Sequence, residues 1–140
     1  MADKFTARAT RALIGQSVVY TLYPVVAAGT VAGTTVTSGA GVWGADKEII
    51  AANAITSEFW VCAMDIDTNS GAQPVVIELE QAATTSIFAA RMDLTAATSN
   101  IGRFSVPYPQ RIAASVQITA RASGTGAKTY NVSVLVATGL

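Results

Sequence analysis

The stretch Thr85-Ser86-Ile87-Phe88-Ala89-Ala90-Arg91-Met92-Asp93-Leu94 decides the fold class, because along it apolar and polar residues alternate with a period of two. Phe88, Ala90, Met92 and Leu94 fall on one face, and Ala89, Arg91 and Asp93 on the other. That is the pattern of a half-buried strand; a helix repeats every 3.6 residues. The same period returns downstream. In Ala114 to Ala122, Val116, Ile118 and Ala120 oppose Gln117, Thr119 and Arg121; in Lys128 to Thr138, Val132, Val134 and Val136 oppose Asn131, Ser133 and Leu135. One-sided strands of this kind belong to antiparallel sheets that pack one face and wet the other.

Working outward, Ser17 to Tyr23 is rich in β-branched and aromatic residues and is stopped by Pro24, which has no N–H to give a ladder. Ala27 to Ala45 carries Gly29, Gly33, Gly39, Gly41 and Gly44, and reads as a loop-rich crossing with one short strand near Thr34 to Thr37. Lys47 to Ala51 is a strand or a linker, and Asn53 to Ser57 is a turn. Phe59 to Thr68, Gln73 to Gln81 and Arg103 to Val106 are further strands. Between the strands, Thr68-Asn69-Ser70-Gly71, Ala97-Thr98-Ser99-Asn100, Pro107-Tyr108-Pro109 and Ser123-Gly124-Thr125-Gly126 have turn chemistry. The pattern predicts an all-β domain, an antiparallel two-sheet sandwich of about eight strands with jelly-roll character; an up-and-down barrel is the alternative. Residues 16–140 form this sandwich and residues 1–15 an N-terminal arm.

Composition supports the fold class and narrows the function. Ala, Thr, Val, Gly and Ser make up 79 of the 140 residues, a bias toward strands with small side chains. Nine Lys and Arg balance nine Asp and Glu, so no global field attracts nucleic acid or an anionic membrane. Charged residues are 13% of the chain, about half the usual share. A low-charge surface of this kind suits permanent contact with other subunits better than life as a free monomer. The 34 residues between Arg11 and Asp46 carry no charge, but Gln16, Ser17, Thr21, Pro24, Gly29 and Thr30 interrupt them, and neither a membrane span nor a signal is expected.

Histidine is absent, which removes the usual general base, the usual partner of a Ser or Cys nucleophile and the commonest metal ligand. Cys62, the single cysteine, lies in the apolar run Phe59 to Met64 and is expected to be buried and inert. No catalytic residues and no cofactor are assigned. Asp65, Asp67 and Asn69 stand at alternate positions, as at the start of a calcium loop, but the sixth and twelfth positions are Ser70 and Val76 where Gly and Glu belong. They are kept as a weak calcium candidate. Glu78 and Glu80 alternate with Ile77 and Leu79 and are expected on a solvent or partner-facing surface. Were consecutive strands paired as hairpins, Asp65, Asp67, Glu78, Glu80, Arg91 and Asp93 would share one charged lattice. In the arm, Lys4, Arg8 and Arg11 outnumber Asp3, and these three cations with Phe5 are expected to contact a neighbouring subunit.

From Ala72 onward the chain resembles virion structural proteins of tailed bacteriophages. The likeness is carried by Glu78 to Leu94, by Phe104-Ser105-Val106-Pro107-Tyr108-Pro109-Gln110-Arg111-Ile112, by Ser115 to Arg121 and by the closing Val132 to Leu140. The resemblance implies a small β-sandwich protein that decorates or cements a capsid surface, with the major capsid protein or other virion subunits as partners, and a trimer. A carbohydrate-binding or adhesion module is the alternative, on which Trp43, Trp60, Tyr20, Tyr23, Tyr108 and Tyr130 would supply the aromatic platform.

Overall fold

A computed structural model describes residues 17–26 and 33–139. Among these residues ten strands follow one another: β1 (Val19–Tyr23), β2 (Thr34–Ala40), β3 (Lys47–Ile50), β4 (Phe59–Asn69), β5 (Gln73–Gln81), β6 (Thr85–Leu94), β7 (Thr98–Ser105), β8 (Arg111–Ile112), β9 (Ile118–Gly124) and β10 (Thr129–Thr138). Among the described residues there is no helix, so none long and apolar enough to cross a membrane. The all-β reading holds.

The strands make one hydrogen-bonded path, β6-β5-β9-β2-β10-β4-β7, which turns back on itself into two layers. The first sheet is built on β10, which pairs with β4 along one edge and with β1 and β2 in succession along the other; β7 and β8 extend it beyond β4. The second sheet places β9 between β5 and the pair β2 and β3, with β6 outermost. β2 belongs to both layers. Its first half lies antiparallel to β10, and Ser38 to Ala40 then run parallel to Ala122 to Gly124. This parallel pair departs from the expected antiparallel pattern, and ten strands replace about eight.

The inward faces make one core. Val132, Val134 and Val136 of β10 meet Ile77 and Leu79 of β5 and Ile118, Ala120 and Ala122 of β9, all buried, with Phe59, Met64, Ile66 and Tyr130 as the largest side chains among them. Alternation along β6 places Phe88, Ala90, Met92 and Leu94 inward as expected. A bulge between the pairs Leu79–Phe88 and Glu80–Ser86 leaves Ile87 as an extra residue and buries it too.

A buried polar clamp ties the layers together. Gln73 Nε2 donates to Ser38 Oγ (2.9 Å) and to the Tyr130 hydroxyl, while Gln73 Oε1 accepts from the Gly126 N–H (2.9 Å). Ser38 Oγ in turn donates to the Gly126 carbonyl (2.6 Å). A Cβ at Gly124 would sit 2.5 Å from Gln73 Nε2, so any larger residue there would push the Gln73 amide out of the clamp.

Several strand boundaries differ from the sequence reading: β2 runs on to Ala40, and Asn69, Ser123 and Gly124, expected in turns, lie in β4 and β9. Thr98 to Asn100, expected in a turn, open β7 opposite Asn69 and Thr68. Arg111–Ile112 adds the two-residue β8 against Phe59 and Trp60. Ala114 to Gln117 lie outside β9, which begins at Ile118, because Ser115 adopts a left-handed φ of 67° that breaks a strand.

Candidate interaction surfaces

The side chains that face outward define what the domain can present to a partner. On the first sheet, cross-strand partners share a face, so register gives the rows of that surface. One row runs Tyr20, Ala137, Trp60, Arg111; the next runs Leu22, Leu135, Ala63, Ser105; the third runs Ser133, Asp65, Arg103. Three strands thus contribute Tyr20, Leu22, Leu135 and Trp60 to an outward apolar band. Small residues form its floor: Ala63 and Ala137 are buried although they point away from the core. Tyr20, 64% exposed, stands at the open side of the band. An outward sheet face that is apolar over neighbouring strands departs from the wet face that one-sided strands imply.

Next to the band, the third row bounds a groove of about 490 Å³ between Leu22, Asp65, Asp67, Arg103 and Ser133. Arg103 grips Asp65 through two parallel bonds of 2.7 Å, Nε to Oδ1 and Nη2 to Oδ2. The Asp65 carboxylate holds the Arg103 guanidinium above its ordinary range through that hydrogen bond and its charge. The pair is substantially exposed.

The outer face of the second sheet carries a different arrangement. Arg121 of β9 donates to Glu78 Oε2 from Nε (2.9 Å) and Nη2 (2.7 Å), and its Nη2 also lies 2.9 Å from Glu80 Oε1. The Trp43 ring covers the guanidinium, with Cζ 4.6 Å from the ring centre. The segment bearing Trp43 is pinned to β9 by the Gly41 N–H on the Gly124 carbonyl (2.7 Å) and the Gly44 N–H on the Ala122 carbonyl (2.8 Å). Glycine is required at 44, where a Cβ would collide with the Thr37 carbonyl.

The expectation that Glu78 and Glu80 lie exposed is therefore corrected. Both point outward in register but are buried, with Arg121 bonded to both and the Trp43 ring stacked on its guanidinium; Glu80 is 3% exposed. Their titration diverges. Burial pushes the Glu80 carboxyl up, and a hydrogen bond that protonated Glu80 donates to the Asp46 carboxylate and the charges of Asp46 and Glu78 add to this against the pull of Arg121. Burial acts on Glu78 in the same sense but is outweighed by hydrogen bonds from Ser86 and Arg121 and by the Arg121 charge, which hold it below its ordinary value. Glu80 Oε2 and Thr119 Oγ1, side by side in register, are buried with no hydrogen-bond partner among the described residues.

The common charged lattice does not form either. β4 and β5 are consecutive but lie in different sheets, so Asp65 and Asp67 are separated from Glu78, Glu80, Arg91 and Asp93. The calcium candidate is likewise not brought together. Between Ile66 and Asn69, β4 holds one residue more than the facing segment of β10, which turns Asn69 inward opposite Tyr130. Asn69 then serves as a turn clamp: Nδ2 donates to the Gly71 and Ala96 carbonyls (2.8 and 3.0 Å), and Oδ1 accepts from the Thr98 N–H (2.8 Å). Among the described residues no three His, Cys, Asp or Glu side chains converge to hold a metal ion. Cys62 is half-buried, not buried, and burial pushes its thiol up. Lys4, Phe5, Arg8 and Arg11 lie outside the described residues.

The six aromatic residues do not share one platform. Tyr20 and Trp60 flank Ala137 on the outer face of the first sheet, Trp43 is stacked on Arg121 over the second, Tyr108 is 87% exposed in the turn after β7, Tyr130 is in the core and Tyr23 packs against it. The apolar band, the groove and the covered charge cluster were not visible in the sequence; the alternation of Tyr20 with Leu22 and of Leu135 with Ala137 was the available signal for the first of these.

No protein-family model matches the chain, and no curated protein matches it. Among solved structures it is similar to three described as the infectious bursal disease virus Gx strain (15% identity, TM-score 0.35), the T13 viral particle of that virus (12%, 0.34) and its VP2 subviral particle (12%, 0.29). Each match covers 86% of this chain and 30 to 32% of the other, so the chain spans about a third of those chains' length. All three are structures of a virus or of its particles; at these TM-scores the likeness carries no argument.

Proposed function

We propose that this chain is a structural subunit of a virion: a decoration or cement protein on the outer surface of a tailed-phage capsid, joined to the major capsid protein or other virion subunits and to copies of itself in a trimer. The apolar band on the outer face of the first sheet, Tyr20, Leu22, Leu135 and Trp60 over Ala63 and Ala137, carries this reading. Covering such a face removes apolar surface from water at about 25 cal/mol per Å², a driving force that suits an assembled subunit. The phage assignment and the trimer rest on the resemblance of Ala72 to Leu140 alone. The role is mechanical and involves no catalysis: contacts made only in the assembled shell stabilise that shell by mass action.

Sedimentation of the purified chain with and without capsid shells tests the proposal. Saturable co-sedimentation, lost when Leu22 and Leu135 are both replaced by Asp while the circular dichroism spectrum stays native, is the expected result. A chain that stays in the supernatant with shells and is retained on a glycan column would overturn the reading in favour of adhesion.

A further inference from the structure

We infer that the N-terminal segment of one copy, residues 1–16, seats in the groove beside Leu22, Asp65 and Asp67 on the first sheet of a neighbouring copy. The inference rests on the reading of the chain as an assembly subunit and names the partner of that same face.

Charge complementarity is the first argument. Lys4, Arg8 and Arg11 against Asp3 give residues 1–16 a net charge of +2, while residues 17–140 hold six cations and eight carboxylates and are net −2. Of the two carboxylates in the groove, Asp65 is engaged by Arg103, and among the described residues no ion pair holds Asp67. A cation from the segment meets an available carboxylate there.

Apolar complementarity is the second. The segment carries Phe5, Leu13 and Ile14, and the groove opens beside Leu22 at the border of the apolar band. Exposed ion pairs alone are too weak to order a chain segment, so a site that offers both an apolar wall and a carboxylate is the kind required.

Direction and length select a neighbouring copy over the segment's own body. β1 begins opposite Thr138 and ends opposite Val134, so its N-terminal end lies at the far end of the face from Asp65 and Asp67. The chain therefore enters this face at the end remote from its own groove. Sixteen residues span at most about 50 to 60 Å when extended, enough to reach across to another subunit.

Disulfide trapping on full-length chains in a Cys62→Ser background tests this. Thr6→Cys is placed beside Phe5 in one chain, and Ser105→Cys, exposed on the outer face, in another; the two are mixed under oxidised glutathione. The expected result is a disulfide-linked heterodimer, formed faster than with a control chain carrying Ser57→Cys. Adding Asp67→Lys should slow trapping about fivefold, the size of one surface ion pair, and Asp93→Lys on the other sheet should not. Trapping no faster than the control, or closure only within a chain carrying both cysteines, overturns the inference. The outcome is separable from the virion reading: chains that bind shells without trapping defeat only the docking, whereas chains that trap in trans yet ignore shells defeat the virion role.

Discussion

Replacing Arg121 with Ala is expected to destabilise the domain far more than replacing Arg103, although both arginines make two short bonds to a carboxylate. Among the described residues Arg121 is the one cation holding Glu78 and Glu80, whose side chains are 12% and 4% exposed, and its removal leaves two buried carboxylates without that compensation beside the Asp46 carboxyl. Breaking a fully buried pair costs about 3 to 5 kcal/mol. The cluster lies only one side chain below the surface, under Trp43, so we expect about 2 to 4 kcal/mol. Arg103 and Asp65 have side chains 51% and 24% exposed, and their separation should cost at most about 1 kcal/mol. Urea unfolding of the two variants and the parent at pH 7, followed by far-ultraviolet circular dichroism, measures both. For a chain of this size the difference amounts to roughly 3 to 12 °C in Tm. Equal losses for the two variants would refute the claim that the second-sheet cluster is held as a covered unit. Adding Glu80→Gln to Arg121→Ala should recover part of the loss, since it removes one of the orphaned charges.

Stability should depend on pH in two opposed ways. Glu80 has a folded value raised above its ordinary 4.5, so its contribution is fully present below 4.5 and is lost as pH rises through the folded value; Glu80→Gln should flatten that alkaline fall in a Tm series from pH 3 to 9. Glu78, lowered, contributes above 4.5 and loses that contribution as pH falls through its folded value, an acid limb that Glu78→Gln should remove. Ala82 and Ala83 turn between β5 and β6 with φ of 51° and 53°, so Ala82→Asn with Ala83→Gly should raise stability by about 1 to 2 kcal/mol in the same urea assay. Gly44→Ala should cost about 1 to 3 kcal/mol, because its Cβ meets the Thr37 carbonyl, and should shift Trp43 fluorescence in a Trp60→Phe background.

Much of the fold is legible where a strand obeys a strict period of two between recognisable turns. β5 and β6 begin and end where the alternation does, and the inward valines of β10 are the ones the sequence marks. The reading fails where long-range pairing overrides local pattern. Thr98 to Asn100 look like a turn, yet the Asn69 side chain captures the Thr98 N–H and β4 recruits them as strand. Asn69 itself leaves the face of Asp65 and Asp67 because of one extra residue in β4. Glu78 and Glu80 are outward by period, as expected, but nothing local says that Arg121 pairs with both or that Trp43, some 35 residues earlier, returns to stack on its guanidinium. The glycines that permit this, Gly41 and Gly44, read in sequence only as loop. The apolar band was invisible for the same reason: Tyr20, Leu135 and Trp60 become neighbours only through the pairing of β1, β10 and β4.

The central claim, that this chain is a stoichiometric part of a virion surface, is tested most directly by quantitative mass spectrometry of purified particles before and after mild surface proteolysis. The expected result is a fixed ratio to the major capsid protein, equal between preparations, with the chain accessible from outside. Absence from purified particles, or an amount that varies between preparations without effect on their stability, would contradict it.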